Sequence, residues 1–293
     1  MQNPRNIAKV IRPISVLEGA GVRLKRSFPA GAIDFIDPFL LLDDFSSSNP
    51  NDYRKGFPWH PHRGIETVSY VIQGAVNHGD SLGNRGTIGA GEAQWMTAGS
   101  GIMHEEMPDP QSERLVAFQL WVNLSADRKM TVPRYQNISS DSIPVVSPQK
   151  GVTVRVVAGE VDGMRGPVTG ISIEPTYLDA LLLPNASFTH SVPRGHTAMV
   201  YLFEGEAGVG PGAPHSGKEI VAPSLVILGD GDGIELEATT AGARCLLISG
   251  TPLNEPVSRY GPFVMNTPEE IQRALSDLND GTFIRHQPED HPS

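Results

Sequence analysis

The chain is expected to be an all-β protein: two tandem β-barrel domains, over residues 1–136 and 137–293, with a short α-helix near the C-terminus. Three observations predict this. The 293 residues include 31 Gly and 25 Pro, and 39% are hydrophobic, a mix that suits many short strands joined by tight turns. Apolar and polar residues alternate, as in Phe118, Leu120, Val122 and Leu124 against Gln119 and Asn123. The chain also repeats itself faintly. SYVIQGAVNHG (69–79) lines up with VYLFEGEAGVG (200–210), and VAFQLWVN (116–123) with RCLLISG (244–250).

Taken in order, residues 8 to 27 read as two strands around the Gly19–Gly21 turn, with Val10, Ile14, Val16 and Val22 inward. A Pro29–Gly31 turn leads to a core strand through Phe39 and Leu40–Leu42, which Asp43 and Asp44 end. The polar stretch 46–56 is a surface loop placed to form a rim. From His60 to Ile72 the even positions hold His60, His62, Gly64, Glu66, Val68, Tyr70 and Ile72, predicting one strand with polar groups at one end of its inner face and apolar groups beyond. Residues 133–151, with their prolines and serines, read as a connector, and strands resume at Val152. Near the end Thr267 can cap a helix that has Pro268 in its first turn and Glu270 completing a capping box. Ile271, Ala274, Leu275 and Leu278 then follow helical spacing, and Gly281 stops it.

The chemistry concentrates between Gly56 and Met107. His60 with His62, and His104 with Glu106, form two pairs at period 2, and side chains two apart on a strand share a face. If the two strands line one cavity, three imidazoles and one carboxylate meet. That set suits one divalent transition ion (iron, manganese, nickel, copper, cobalt or zinc) and offers too few oxygens for calcium. Four protein ligands leave an octahedral ion two open positions, as substrate chelation requires. The second copy lacks such ligands: Ser191, Pro193 and Thr197 stand where His60, His62 and Glu66 would align.

The order Gly56, His60, His62, Glu66, Gly74, then Gly91, Gly101 and His104 resembles the two cupin motifs. More closely, HPHRGIETVSY, QWMTAGSGIMHEEMP and QLWVNL resemble the pirin family of two-domain cupins. FLLLDDF (39–45) and GPFVMNTPEEI (261–271) extend the likeness over nearly the whole chain. The resemblance implies two jelly-roll cupin barrels, the first binding metal and the second not, with iron(II) as the ion. Cupins in general use the glutamate at the place of Glu66, whereas pirins use the one at the place of Glu106. Strand parity also favours Glu106, leaving Glu66 as a partner to a ligand histidine or as an ordinary polar residue of the barrel. The resemblance further implies quercetinase activity, the opening of a flavonol ring by O2, with Glu106 taking the proton of the flavonol 3-hydroxyl. Val68, Met96 and Met103 are then expected to line the flat substrate pocket. The family also includes metal-dependent transcription cofactors, so a regulatory protein without turnover is the alternative.

A net charge of −10 disfavours direct nucleic-acid binding. The single cysteine, Cys245, excludes an internal disulfide. No stretch has the length of a membrane span or the apolar core of a signal peptide, so a cytoplasmic monomer is expected.

Overall fold

The computed structural model describes residues 3–213 and 219–286. Two compact units divide the chain, and each takes an end from the far side of the sequence: residues 14–140 join 253–293, and residues 1–13 join 141–252. This differs from the expected split at 136/137. Ile7–Ile11 pairs antiparallel with Ser224–Leu228, so the first strand completes the second unit's sheet. The last strands and the helix belong to the first unit instead.

The first unit is two facing antiparallel sheets. One has seven strands in the order Arg134–Ile138, Glu92–Thr97, Ile65–Gln73, Val116–Asn123, Phe39–Asp44, Val22–Phe28 and Ile14–Glu18. The other has four, in the order Phe57–His62, Ile102–Pro108, Val76–Asp80 and Arg85–Ile88. They meet in a shared interior, where Ser69 of the larger sheet donates to Glu106 of the smaller. The chain passes from Phe57–His62 into Ile65–Gln73 through a bend at Gly64. There φ is +78°, and a Cβ would run into the Val264 carbonyl oxygen. Buried Lys129 pins the bend, donating to the Gly64 and Val264 carbonyls, each at 2.9 Å, and to Asn123.

The C-terminal segment returns to this barrel as a hairpin, Ser258–Tyr260 with Phe263–Met265, followed by the helix Pro268–Asn279. The helix has the predicted start: Thr267 accepts from the Glu270 amide, and Glu270 closes the capping box. Ile271 and Ala274 are buried with Phe263, Met265 and Phe283. Arg63, beside ligand candidate His62, is fully buried and ties the segment down. Its Nη1 donates to Asp277 at 2.7 Å, its Nε to the Ser100 carbonyl at 2.7 Å, and its Nη2 to the Phe283 carbonyl.

The second unit is built on a large curled sheet in which Thr197–Val209 and Gly233–Gly250 run side by side at the centre, and Glu160–Val161 with Met164–Arg165 forms a separate two-stranded sheet. The 18-residue strand Gly233–Gly250 pairs with Ser187–Ser191 along its first part and with Thr176–Leu182 along its last, as a strand curving around a barrel does. Its interior is packed with Val154, Val156, Leu178, Val200, Val226, Leu236 and Leu247. Cys245 lies in that core, where burial pushes its thiol up to about 12. Among the described residues, no helix is long and apolar enough to cross a membrane.

Candidate metal centre

His60, His62 and His104 meet in the first unit because their two strands are antiparallel neighbours. His104 stands opposite His60, and Ile102 opposite His62. The ring centroids lie 4.3 to 5.0 Å apart, and one donor nitrogen from each comes within 4.8 Å of the others. His62 and His104 are buried, while His60 is half-buried at the mouth.

The hydrogen bonds of the three rings fit a cation. His60 Nδ1 lies 2.9 Å from the Pro58 carbonyl, which sets its proton on Nδ1 and turns a bare Nε2 inward. That Nε2 faces His62 Nε2 at 3.1 Å, and neither ring nitrogen of buried His104 has a hydrogen-bond partner. Orphaned buried nitrogens are rare and costly, and a shared ion would satisfy them. Burial, and then the neighbouring imidazoles, hold His62 and His104 well below the usual histidine range, which keeps them neutral as ligands.

Glu106 shares the inner face with His104, since the two pair with His78 and Asp80 of Val76–Asp80 without a register shift. Its carboxylate is buried and held at both oxygens. Ser69 Oγ donates to Oε1 at 2.6 Å and Gln119 Nε2 to Oε2 at 2.6 Å. It therefore lies beside the three-histidine group and outside its tight cluster.

Glu66 lies elsewhere: of its two expected roles the hydrogen bonds give the ordinary polar barrel residue, and support of a ligand histidine is corrected. Its oxygens accept from Thr97 Oγ1 at 2.7 Å and Trp95 Nε1 at 3.1 Å, and its cross-strand partners are Thr97 and Val122. The Gly64 bend is the reason: the parity of Phe57–His62 does not continue into Ile65–Gln73. Beyond the bend Ser69, an odd position, faces inward with its partners Gln94 and Gln119. Gln94 carries the polar row further, with its Nε2 2.8 Å from Asn137 and 3.0 Å from His78 Nε2.

A cavity of about 540 Å³ opens beside His60 and His62, with Phe57, Trp59, Gln119 and Trp121 in its wall. Val68, Met96 and Met103, expected to line it, do not. Val68 and Met96 are fully buried, and Met103 packs against the cluster around the C-terminal helix. Sequence reasoning missed Ser69 because one parity was carried from His60 to Ile72, and Gln119 and Trp121 because alternation along Val116–Asn123 does not say which face looks into a cavity. The signal was present in Gly64, a glycine directly after the ligand strand.

A two-domain cupin with one three-histidine centre able to hold a metal is thus defined by fold and site. Residues 21–122 match the Pirin family and residues 177–284 the Pirin C-terminal cupin domain. Human Pirin is 42% identical over 264 residues, covering 89% of this chain and 88% of that protein. A Pirin-like protein of Caulobacter vibrioides is 42% identical over 280 residues, covering 95% and 99%. The crystal structure of quercetin 2,3-dioxygenase from Acinetobacter baumannii superposes with a TM-score of 0.85 at 35% identity, covering 95% of this chain and 98% of that one. The chain belongs to the pirin family.

Proposed function

We propose that this protein is a mononuclear non-haem iron dioxygenase that opens a flavonol such as quercetin with O2. His60, His62, His104 and Glu106 hold the ion in this reading. The observation that carries it is the three-histidine cluster, with His104 unpartnered, at the side of an aromatic-walled cavity of about 540 Å³. That volume is within the range of small-molecule sites. When bound, the ion lowers the pKa of a chelating hydroxyl and polarises the adjacent carbonyl oxygen. The protein's own groups do the rest. Trp121 and Phe57 present flat apolar faces, and Glu106 receives the 3-hydroxyl proton. Ser69 and Gln119 aim that carboxylate, each bonded to one of its oxygens. Relatives and a structural neighbour bearing the quercetin 2,3-dioxygenase name support the same reading.

Oxygen uptake and carbon monoxide release by iron-loaded protein given quercetin test it, with metal analysis of protein purified without added metal. Turnover that disappears in Glu106→Gln is the expected result. Firm metal retention with no oxygen uptake would instead favour a metal-dependent regulatory protein.

A further inference from the structure

One wall of the cavity has no part in the chemistry proposed above. Arg259 stands there, exposed, on the hairpin strand Ser258–Tyr260. It makes two long hydrogen bonds to backbone, from Nε to the Gly261 carbonyl and from Nη1 to the Leu40 carbonyl, both at 3.3 Å. Among the described residues, no carboxylate forms a salt bridge with it within 4.0 Å.

The cavity's other arginine is committed. Arg26 grips Asp43 with Nε at 2.8 Å and Nη2 at 2.6 Å, and its Nη1 holds Glu18 at 2.7 Å. Both carboxylates of the cavity wall are therefore gripped by Arg26, and Arg259 interacts with them and with Asp34 only electrostatically, at longer range. Arg259 and the histidine cluster also share one neighbour, Trp121. The Arg259 guanidinium carbon lies 5.0 Å from the Trp121 ring centroid, and Trp121 in turn meets His62 edge-on with centroids 5.0 Å apart. Both groups touch the same indole, so a planar ligand laid along it with one end at the histidines can bring its other end to Arg259. In a chain of net charge −10, an anionic ligand needs such a local cation.

We infer that Arg259 is a specificity residue of this cavity, selecting a planar aromatic ligand that carries an anionic oxygen, carboxylate or phenolate, at the end remote from the histidines. A guanidinium offers two parallel N–H donors to such a group and stays charged at any working pH. The inference rests on the flavonol-binding reading of the same cavity, and its test separates the two.

Zinc-loaded protein is titrated with 3-hydroxyflavone and with its 4′-carboxylate, following tryptophan fluorescence. The carboxylate should bind about tenfold more tightly, and the advantage should shrink with added salt. Arg259→Gln should bring the two probes to parity, and Arg259→Lys should keep part of the preference. An unaltered preference in Arg259→Gln overturns the inference, as does wild-type protein that fails to discriminate or binds neither probe. A thermal melt of each variant establishes that the fold is intact. Oxygen uptake by iron-loaded protein is scored separately. Charge preference without uptake removes the dioxygenase reading and leaves the Arg259 subsite, whereas uptake without charge preference does the reverse.

Discussion

Two barrels on the same strand plan differ most in one row of side chains. In the first unit Ser69 pairs with Gln94 on one side and Gln119 on the other. In the second, Val200 occupies the repeat position of Ser69 and pairs with Val226 and Leu247. Three polar groups thus face three aliphatic ones across the repeat. The first row carries hydrogen bonds to Glu106 and to His78 and so sustains a buried carboxylate and a cavity. The second row closes into a continuous apolar core. Metal binding asks a barrel to give up that core: polar groups inside must all find partners, and the space they surround must stay open. One barrel accepts this cost, and the other supplies ordinary packing.

Moving residues across the comparison tests it. The largest effect is expected from Leu247→Gln, which puts the amide of the first row into the apolar second barrel. With no partner there, it should destabilise by about 4 kcal/mol, read as a lowered urea midpoint. A loss below about 1 kcal/mol would mean that the second interior is not closed. Next is His104→Ala, which should weaken metal binding by more than about a hundredfold with the far-ultraviolet spectrum preserved, since losing even a partner of a ligand costs about 10–100-fold. Retention of metal would remove His104 from the centre.

A pH titration of metal-free protein sharpens the same contrast. His62 and His104 titrate below the usual histidine range in the folded chain. Above about pH 6.5 neither the folded nor the unfolded state binds these protons, and they contribute nothing. Below it the unfolded chain takes them up while the fold refuses. Stability should therefore fall with falling pH, by up to about 1.4 kcal/mol per unit for each group, until the folded values are reached. The double variant His62→Ala, His104→Ala should flatten that part of the slope, and an unchanged slope would exonerate the cluster. A smaller effect separates the carboxylates: Glu106→Gln should weaken metal retention about tenfold and Glu66→Gln should not, and the reverse order would return Glu66 to the site. Smallest is Thr267→Ala, which removes the helix cap and should cost about 1 kcal/mol in thermal stability.

Much of this was legible in the chain. HxH and HxE at period 2 placed three histidines and Glu106 on inward faces, because β-strand geometry is local. The capping box at Thr267 and Glu270 was legible for the same reason. What misled was continuity. Reading one parity from His60 to Ile72 ignored the bend at Gly64, and so put Glu66 and Val68 toward the site instead of Ser69. The polar residues of Val116–Asn123 went unrecognised because alternation reports two faces without saying which one looks into a cavity.

By itself, then, the sequence determined the all-β class, the repeat and the candidate histidines, which follow from spacing and composition along a few residues, and its long motifs carried the resemblance to the family. Only the tertiary structure decided which ends belong to which barrel, that Glu66 bonds to Thr97 and Trp95, and that Arg259, almost two hundred residues from His62, stands within one indole of it. Those facts depend on pairings between distant segments, and no local pattern encodes the register of a strand against a partner far along the chain.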